Sequence, residues 1–256
     1  MACTPKRIVL KFGTGILTQP EANTLDRGQI ARLSAEVAAI VHAGHECLLV
    51  SSGAVGAGLM TLGLTERPGD LAGIQACAAV GQSKLMNLYE TAFATHGLHV
   101  AQLLLTYGDL DSRKSYANAG NTVNRLLSEG NVVPIINEND SVAVEELRFG
   151  DNDRLSAEVA MLAGADLLLL LTTADGLLNG GEVIREVRDI DAVMEYVEPT
   201  KGKLSVGGMA SKLLAVKMAV DAGIPTVIAN GRTPGLVARI LAGESVGTRF
   251  LVKATA

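Results

Sequence analysis

Five times along the chain a helical ending, a glycine and a short apolar run follow one another and close on polar residues. They are VHAGHECLLVSSG (41–53), ATHGLHVAQLLLT (94–106), LSEGNVVPIINEND (127–140), LAGADLLLLLTTADG (162–176) and VDAGIPTVIANG (220–231). Gly44, Gly97, Gly130, Gly164 and Gly223 stand where a helix needs a left-handed closing residue, which glycine adopts without a Cβ penalty. Runs such as Leu167 to Leu171 are continuously apolar instead of alternating. Both faces of those strands are therefore predicted to be buried, as in a parallel sheet between two helical layers. Between the runs, apolar positions take a helical period: from Asp26 to His42, the residues Ile30, Leu33, Val37, Ile40 and Val41 share one stripe. The expected fold class is α/β, a three-layer α/β/α sandwich.

Composition narrows this picture. A chain of 256 residues, 48% hydrophobic and 19% charged, has no proline-rich, serine-rich or single-sign stretch to serve as a linker, so one domain over 1–256 is expected. The net charge of -5 is spread among interspersed acids and bases, and aromatic residues make up 3%. No basic stripe or stacking platform is offered to a nucleic acid. Cys3, Cys47 and Cys77 form neither a C-x-x-C pair nor a disulfide framework, which fits a reducing compartment. Lys6, Arg7 and Lys11 interrupt the first apolar run and no later run reaches membrane-spanning length, so a soluble cytoplasmic protein is expected.

In an open parallel sheet ligands bind beyond the carboxyl ends of the strands, which directs attention to the loops after the apolar runs. The first strand ends in Leu10-Lys11-Phe12-Gly13-Thr14-Gly15, a lysine beside glycines whose backbone can approach a ligand closely. A phosphate suits it, and a solvated lysine before a turn is the plainer alternative. Ser51-Ser52-Gly53-Ala54-Val55-Gly56-Ala57-Gly58 leads into a predicted helix whose free N–H groups could cradle an anion; alternatively a serine merely caps that helix. Asn137-Glu138-Asn139-Asp140 and Gly150-Asp151-Asn152-Asp153 gather amides and carboxylates able to bind an ammonium, orient lysines or hold Mg2+ through water. Capping by Asp151 or Asp153 accounts for one of them only. In Gly207-Gly208-Met209-Ala210-Ser211-Lys212 a lysine occupies the opening turns of a predicted helix, against the helix dipole, and calls for an anion in front of it. A nucleotide phosphate would serve, whereas a lysine lying along apolar surface needs none. There is no G-x-x-x-x-G-K-[ST], no H-R-D or D-F-G, and no G-x-S-x-G. His42, His45, His96 and His99 flank helix-to-strand turns, at the opposite end from the proposed ligand face.

Taken in order and spacing, KFGTG (11–15), SSGAVGAG (51–58), INEND (136–140), GDND (150–153) and GGMASK (207–212) resemble the amino acid kinase family, and within it the glutamate 5-kinases. The resemblance spans nearly the whole chain. It implies a mainly parallel sheet of about eight strands, with an N-terminal part that binds L-glutamate and a C-terminal part that binds ATP. Residue by residue, Lys11 and Lys212 match the phosphoryl-stabilising lysines and Asp153 the aspartate that orients them. Ser52, Asp140 and Asn152 match glutamate-binding positions, with Gly13 and Gly53 as backbone contacts. Thr172, Thr173, Val206, Gly207, Gly208, Met209, Ala210, Ser211 and Lys212 fall at the nucleotide. Thr173 replaces an expected aspartate, Val206 a frequent threonine and Gly15 a usual serine, while the segment 179–186 looks shortened. Many relatives carry a further C-terminal PUA domain, so this chain resembles the single-domain form.

The activity so implied is phosphorylation of the glutamate side-chain carboxylate by ATP with Mg2+, opening proline biosynthesis, with a homo-oligomeric assembly and feedback inhibition by proline. Since the carboxylate is ionised at neutral pH, lysines and loop amides need only hold two anions in line. No direct protein ligand for a metal is assigned. Aspartokinase, N-acetylglutamate kinase or a non-catalytic amino-acid sensor are the alternative readings, and a dinucleotide-binding oxidoreductase is disfavoured because no G-x-G-x-x-G follows a strand.

Overall fold

The computed structural model describes residues 6–19, 24–143, 152–194 and 208–253. In chain order the elements are β1 (Arg7–Phe12), α1 (Thr14–Leu17), α2 (Arg27–His42), β2 (Glu46–Ser51), α3 (Ala54–Thr61), α4 (Leu71–Ala94) and β3 (His99–Leu105). There follow α5 (Tyr107–Asp111), α6 (Arg113–Leu127), β4 (Val132–Glu138), α7 (Asn152–Ala163), β5 (Leu167–Thr172), β6 (Leu178–Asn179), β7 (Glu182–Val183) and β8 (Glu186–Val187). The last are α8 (Ile190–Met194), α9 (Met209–Asp221), β9 (Thr226–Asn230), α10 (Leu236–Leu241) and β10 (Thr248–Phe250).

Eight strands form one sheet in the order β3-β4-β2-β1-β5-β9-β10-β8. From β3 to β9 every neighbour is parallel; β10 runs antiparallel to β9 and carries β8 with it. The α/β/α expectation and the mainly parallel sheet hold. The five glycines that end the repeated helices all have positive φ, between 61° and 90°. Asp26 caps α2 by accepting a hydrogen bond from the Gln29 amide at 2.9 Å, which sets the start of that helix at Arg27.

Each apolar strand feeds two cores. Val9, Val50, Ile136, Leu168 and Leu170 point to the layer of α6, α7 and α9, whereas Ile8, Leu10, Phe12, Leu49, Leu169 and Leu171 point to the layer of α2, α4 and α10. Alternate residues of one run thus enter opposite layers, and for that reason the runs are unbroken. From β1 the chain winds to one side through β2, β4 and β3, and later to the other through β5 and β9. The winding reverses beside β1, and the strand ends there leave a crevice.

One helix crossing fixes that crevice. Helix α3 lies backbone to backbone on α4: a Cβ on Gly58 would stand 1.8 Å from the Cys77 carbonyl oxygen, and a Cβ on Gly81 1.8 Å from that of Ala54. The Ser51 hydroxyl and the buried Tyr89 hydroxyl, 2.7 Å apart, tie α4 to the end of β2. Gly81→Ala should therefore force the two helices apart, costing about 3 kcal/mol or more in a denaturation experiment. Gly120→Ala, whose Cβ would meet nothing nearer than 3.8 Å, should be neutral or stabilising by up to about 1 kcal/mol. Equal effects of the two would contradict this packing.

Candidate active site

Lys11 is the penultimate residue of β1 and shares its face with Val9, beneath α7 and α9. Helix α7 opens with Asn152 and Asp153, and Lys212 lies in the first turn of α9, so the starts of two packed helices meet over one strand. Asp153 is fully buried and Lys11 and Lys212 are 4% and 6% exposed, which overturns the reading of Lys11 as a solvated surface residue. The Lys11 ammonium donates to Asp153 Oδ1, and the Lys212 ammonium donates to Oδ2 at 2.8 Å. The Ser211 hydroxyl also donates to Oδ2, at 3.3 Å. Burial alone would push the Asp153 carboxyl up, but the charges and hydrogen bonds of Lys11 and Lys212 hold it below the ordinary aspartate value. One anion in front of Lys212 is this carboxylate. Together the three side chains carry a net positive charge.

Glycines flank the trio among the described residues. Gly13 follows β1, and a Cβ there would lie 3.5 Å from the Lys11 Nζ, at ordinary contact distance. Gly53, at φ 106°, begins α3 in a left-handed conformation with no side-chain cap. The alternative of a serine cap is thereby corrected. A cleft of about 220 Å³ runs from here over Thr14, Ser52, Val55, Gly56, Asn137, Asp140 and Asn152 to Thr65 and Arg67.

Amide side chains fix this cleft. Asn152 Nδ2 donates to the Ser51 carbonyl and the Ser52 hydroxyl, both at 2.9 Å, and to Asn137 Oδ1 at 2.8 Å. Asn137 Nδ2 donates in turn to Gln82 on α4 at 2.9 Å. With its amide group so engaged, Asn152 presents its Oδ1 as the remaining acceptor. Burial raises the Asp140 carboxyl to about 6, with Arg67 opposing the rise. Sequence reasoning singled out Ser52, Gly53, Asp140 and Asn152, which the structure brings together. It missed Gln82, Thr65 and Arg67, none of which belongs to a motif.

On the other side of β1, Thr172 ends β5 and Thr173 is exposed beyond it. A Cβ on Gly15 would stand 3.3 Å from Thr173 Cγ2, so the two departures from the family pattern lie side by side. Gly208 is the N-cap residue of α9, Met209 packs on the core and Ala210 is exposed. Val206, Gly207 and Asp151 lie outside the described residues. Arg232, after β9, donates to the Gly15 carbonyl at 2.9 Å and the Thr18 carbonyl at 2.7 Å, holding the β1 loop in place. Nothing in the sequence pairs residues so far apart. His42, His45, His96 and His99 sit at helix ends and strand beginnings, remote from this rim, as expected.

Comparison with known proteins agrees with the geometry. The amino acid kinase family matches residues 6–230. The glutamate 5-kinase of Pelobacter propionicus is 43% identical over 254 residues, covering 96% of this chain and 68% of that protein. That of Moorella thermoacetica is 47% identical over 254 residues, covering 96% and 67%. Among solved structures, a UMP kinase from Bacillus anthracis superposes with a TM-score of 0.66 at 18% identity, covering 99% of each chain, a likeness of fold alone.

Proposed function

Because the chain belongs to the amino acid kinase family, we propose that it is a glutamate 5-kinase, transferring the γ-phosphoryl group of ATP to the side-chain carboxylate of L-glutamate. The products are γ-glutamyl phosphate and ADP, and the reaction opens proline biosynthesis. The observation that carries this reading is the buried Lys11–Asp153–Lys212 trio at the ends of β1, α7 and α9. Relatives of that name at 43% to 47% identity support the choice of acceptor.

Glutamate arrives ionised, its reference pKa being near 4.3, so no base is needed to make the nucleophile. The obstacle is repulsion between an anionic oxygen and an anionic phosphoryl group. Lys11 and Lys212 offset it, and Asp153 keeps both ammonium groups at one spot without the freedom to turn away. The glutamate oxygen attacks phosphorus in line, the bond to the ADP oxygen breaks, and no proton has to move. In this reading Ser52, Gly53, Asp140 and Asn152 hold glutamate, with Asp140 opposite the ammonium, and Gly13 lets the phosphoryl group close on Lys11. Thr172, Thr173 and the segment from Val206 to Lys212 frame the nucleotide.

Mg2+ belongs to the reading as the companion of ATP. No group of three or more His, Cys, Asp or Glu side chains fit to hold a metal gathers among the described residues. In this proposal Mg2+ would be borne by phosphate oxygens and water. Its chemistry when bound is to neutralise phosphate charge. No described helix is long and apolar enough to cross a membrane. A single domain over 1–256, a cytoplasmic location, self-association and inhibition by proline complete the proposal. Native mass spectrometry showing only monomer, or activity indifferent to millimolar proline, would remove the last two.

A substrate panel with ADP detection tests the assignment: L-glutamate should be turned over, and aspartate and N-acetylglutamate should not. Lys212→Met should lower kcat by about 100-fold, roughly 2.7 kcal/mol of barrier. A loss under about tenfold with the fold intact would rule out the electrostatic role. The raised Asp140 predicts a second behaviour. Its carboxylate is half charged at a pH of about 6, nearly fully charged a unit or more above, and protonates as pH falls through that value. The KM for glutamate should accordingly climb by about tenfold per unit below that pH, and Asp140→Asn should raise KM at neutral pH and flatten the profile. A wild-type KM constant from pH 7.5 to about 5 would take Asp140 out of the ammonium site.

A further inference from the structure

The substrate cleft has two electrostatic ends. Its inner end reaches Asn152, next in sequence to Asp153 and so to the buried lysines. Its outer end is walled by Asp140, after β4, and by Arg67, from the segment between α3 and α4. The two outer groups sense one another, since the Arg67 charge opposes the upward push that burial exerts on the Asp140 carboxyl. Arg67 is exposed, and among the described residues it forms no ion pair.

L-Glutamate presents three charges. If its side-chain carboxylate turns inward to the lysines, its ammonium and its α-carboxylate remain at the outer end, one Cα apart. An ammonium there requires an anion and a carboxylate requires a cation, because each loses part of its hydration in the cleft. Asp140 is the outer anion. Of the described residues lining the cleft, Arg67 is the cation, and a guanidinium is shaped to grip a carboxylate with two parallel hydrogen bonds.

We infer that Arg67 is a specificity-determining residue that binds the α-carboxylate of the amino acid while Asp140 takes its ammonium, so that the outer cleft selects a zwitterionic head group. This deepens the reading of the cleft as the glutamate site and rests on it. The chemical class selected is a free α-amino acid. An N-acylated acid offers no ammonium to Asp140, and an α-amide offers no charge to Arg67.

The test compares L-glutamate with its α-carboxamide, which keeps the ammonium and the side-chain carboxylate, in the wild type, Arg67→Met and Arg67→Lys. The wild type should favour glutamate over the amide by about 10- to 100-fold in kcat/KM, the usual worth of a charge-assisted hydrogen-bonded pair. Arg67→Met should lose most of that preference by raising the glutamate KM, with kcat and the ATP KM little changed, and Arg67→Lys should recover part of it. Thermal melting superimposable on the wild type would show that the exposed loop tolerates the change. A preference left intact in Arg67→Met, or an equal fall for both compounds, would overturn the inference and move the α-carboxylate to the free amides of α3. A wild type that phosphorylates neither compound would sink the parent reading, and the inference with it.

Discussion

Two buried ammonium groups cannot persist in an apolar interior unless a negative charge meets them, and here one fully buried carboxylate meets both. Asp153 sets Lys11 and Lys212 at a single point. Removing a charge from water costs several kcal/mol even after relaxation, so such a cluster is poor value as a structural device alone. In the proposed function it is half of a binding site, completed by an anion that arrives with the substrates. On that proposal the amides and glycines around it follow from the same need, since a phosphoryl group has to come within hydrogen-bond reach of buried groups.

The rest of the molecule serves that convergence. Lys11 arrives from the sheet, Asp153 and Lys212 from two helices far apart in sequence, and the crossover connections of a parallel sheet bring the end of the strand and the starts of the two helices together. On the neighbouring side α3 approaches α4 so closely that Gly58 and Gly81 leave no room for a methyl group. That approach directs the first amides of α3 into the cleft. The chain Gln82–Asn137–Asn152–Ser52 then locks the end of β4 to the end of β2. Arg232 does the same between the turn after β9 and the loop after β1.

Much of this was legible in the sequence because it is local. The five glycines and the unbroken runs determine helix ends and buried strands by backbone sterics and burial, within a dozen residues. The motif lysines, amides and carboxylates stand immediately after strands, where a parallel sheet must display them. The pairing of Lys212 with a carboxylate 59 residues away came only through the family resemblance, and what escaped altogether depends on distance: Arg232 grips carbonyls 217 and 214 residues away. Arg67 lies in an exposed segment with no periodicity and gains meaning only because Asp140 faces the same cleft. The antiparallel β10 and the two-residue β8 were not read from the chain either, since strands so short carry too few alternations to register as a pattern.

The claim on which this account stands is that both lysines touch the transferring phosphoryl group. A crystal structure with ADP, L-glutamate and a metal fluoride in place of that group measures it directly. The account predicts fluoride within about 3 Å of Nζ of both Lys11 and Lys212, with the glutamate side-chain oxygen on the far side from ADP. A fluoride more than about 6 Å from either ammonium group would contradict it, for at that distance no hydrogen bond could link them.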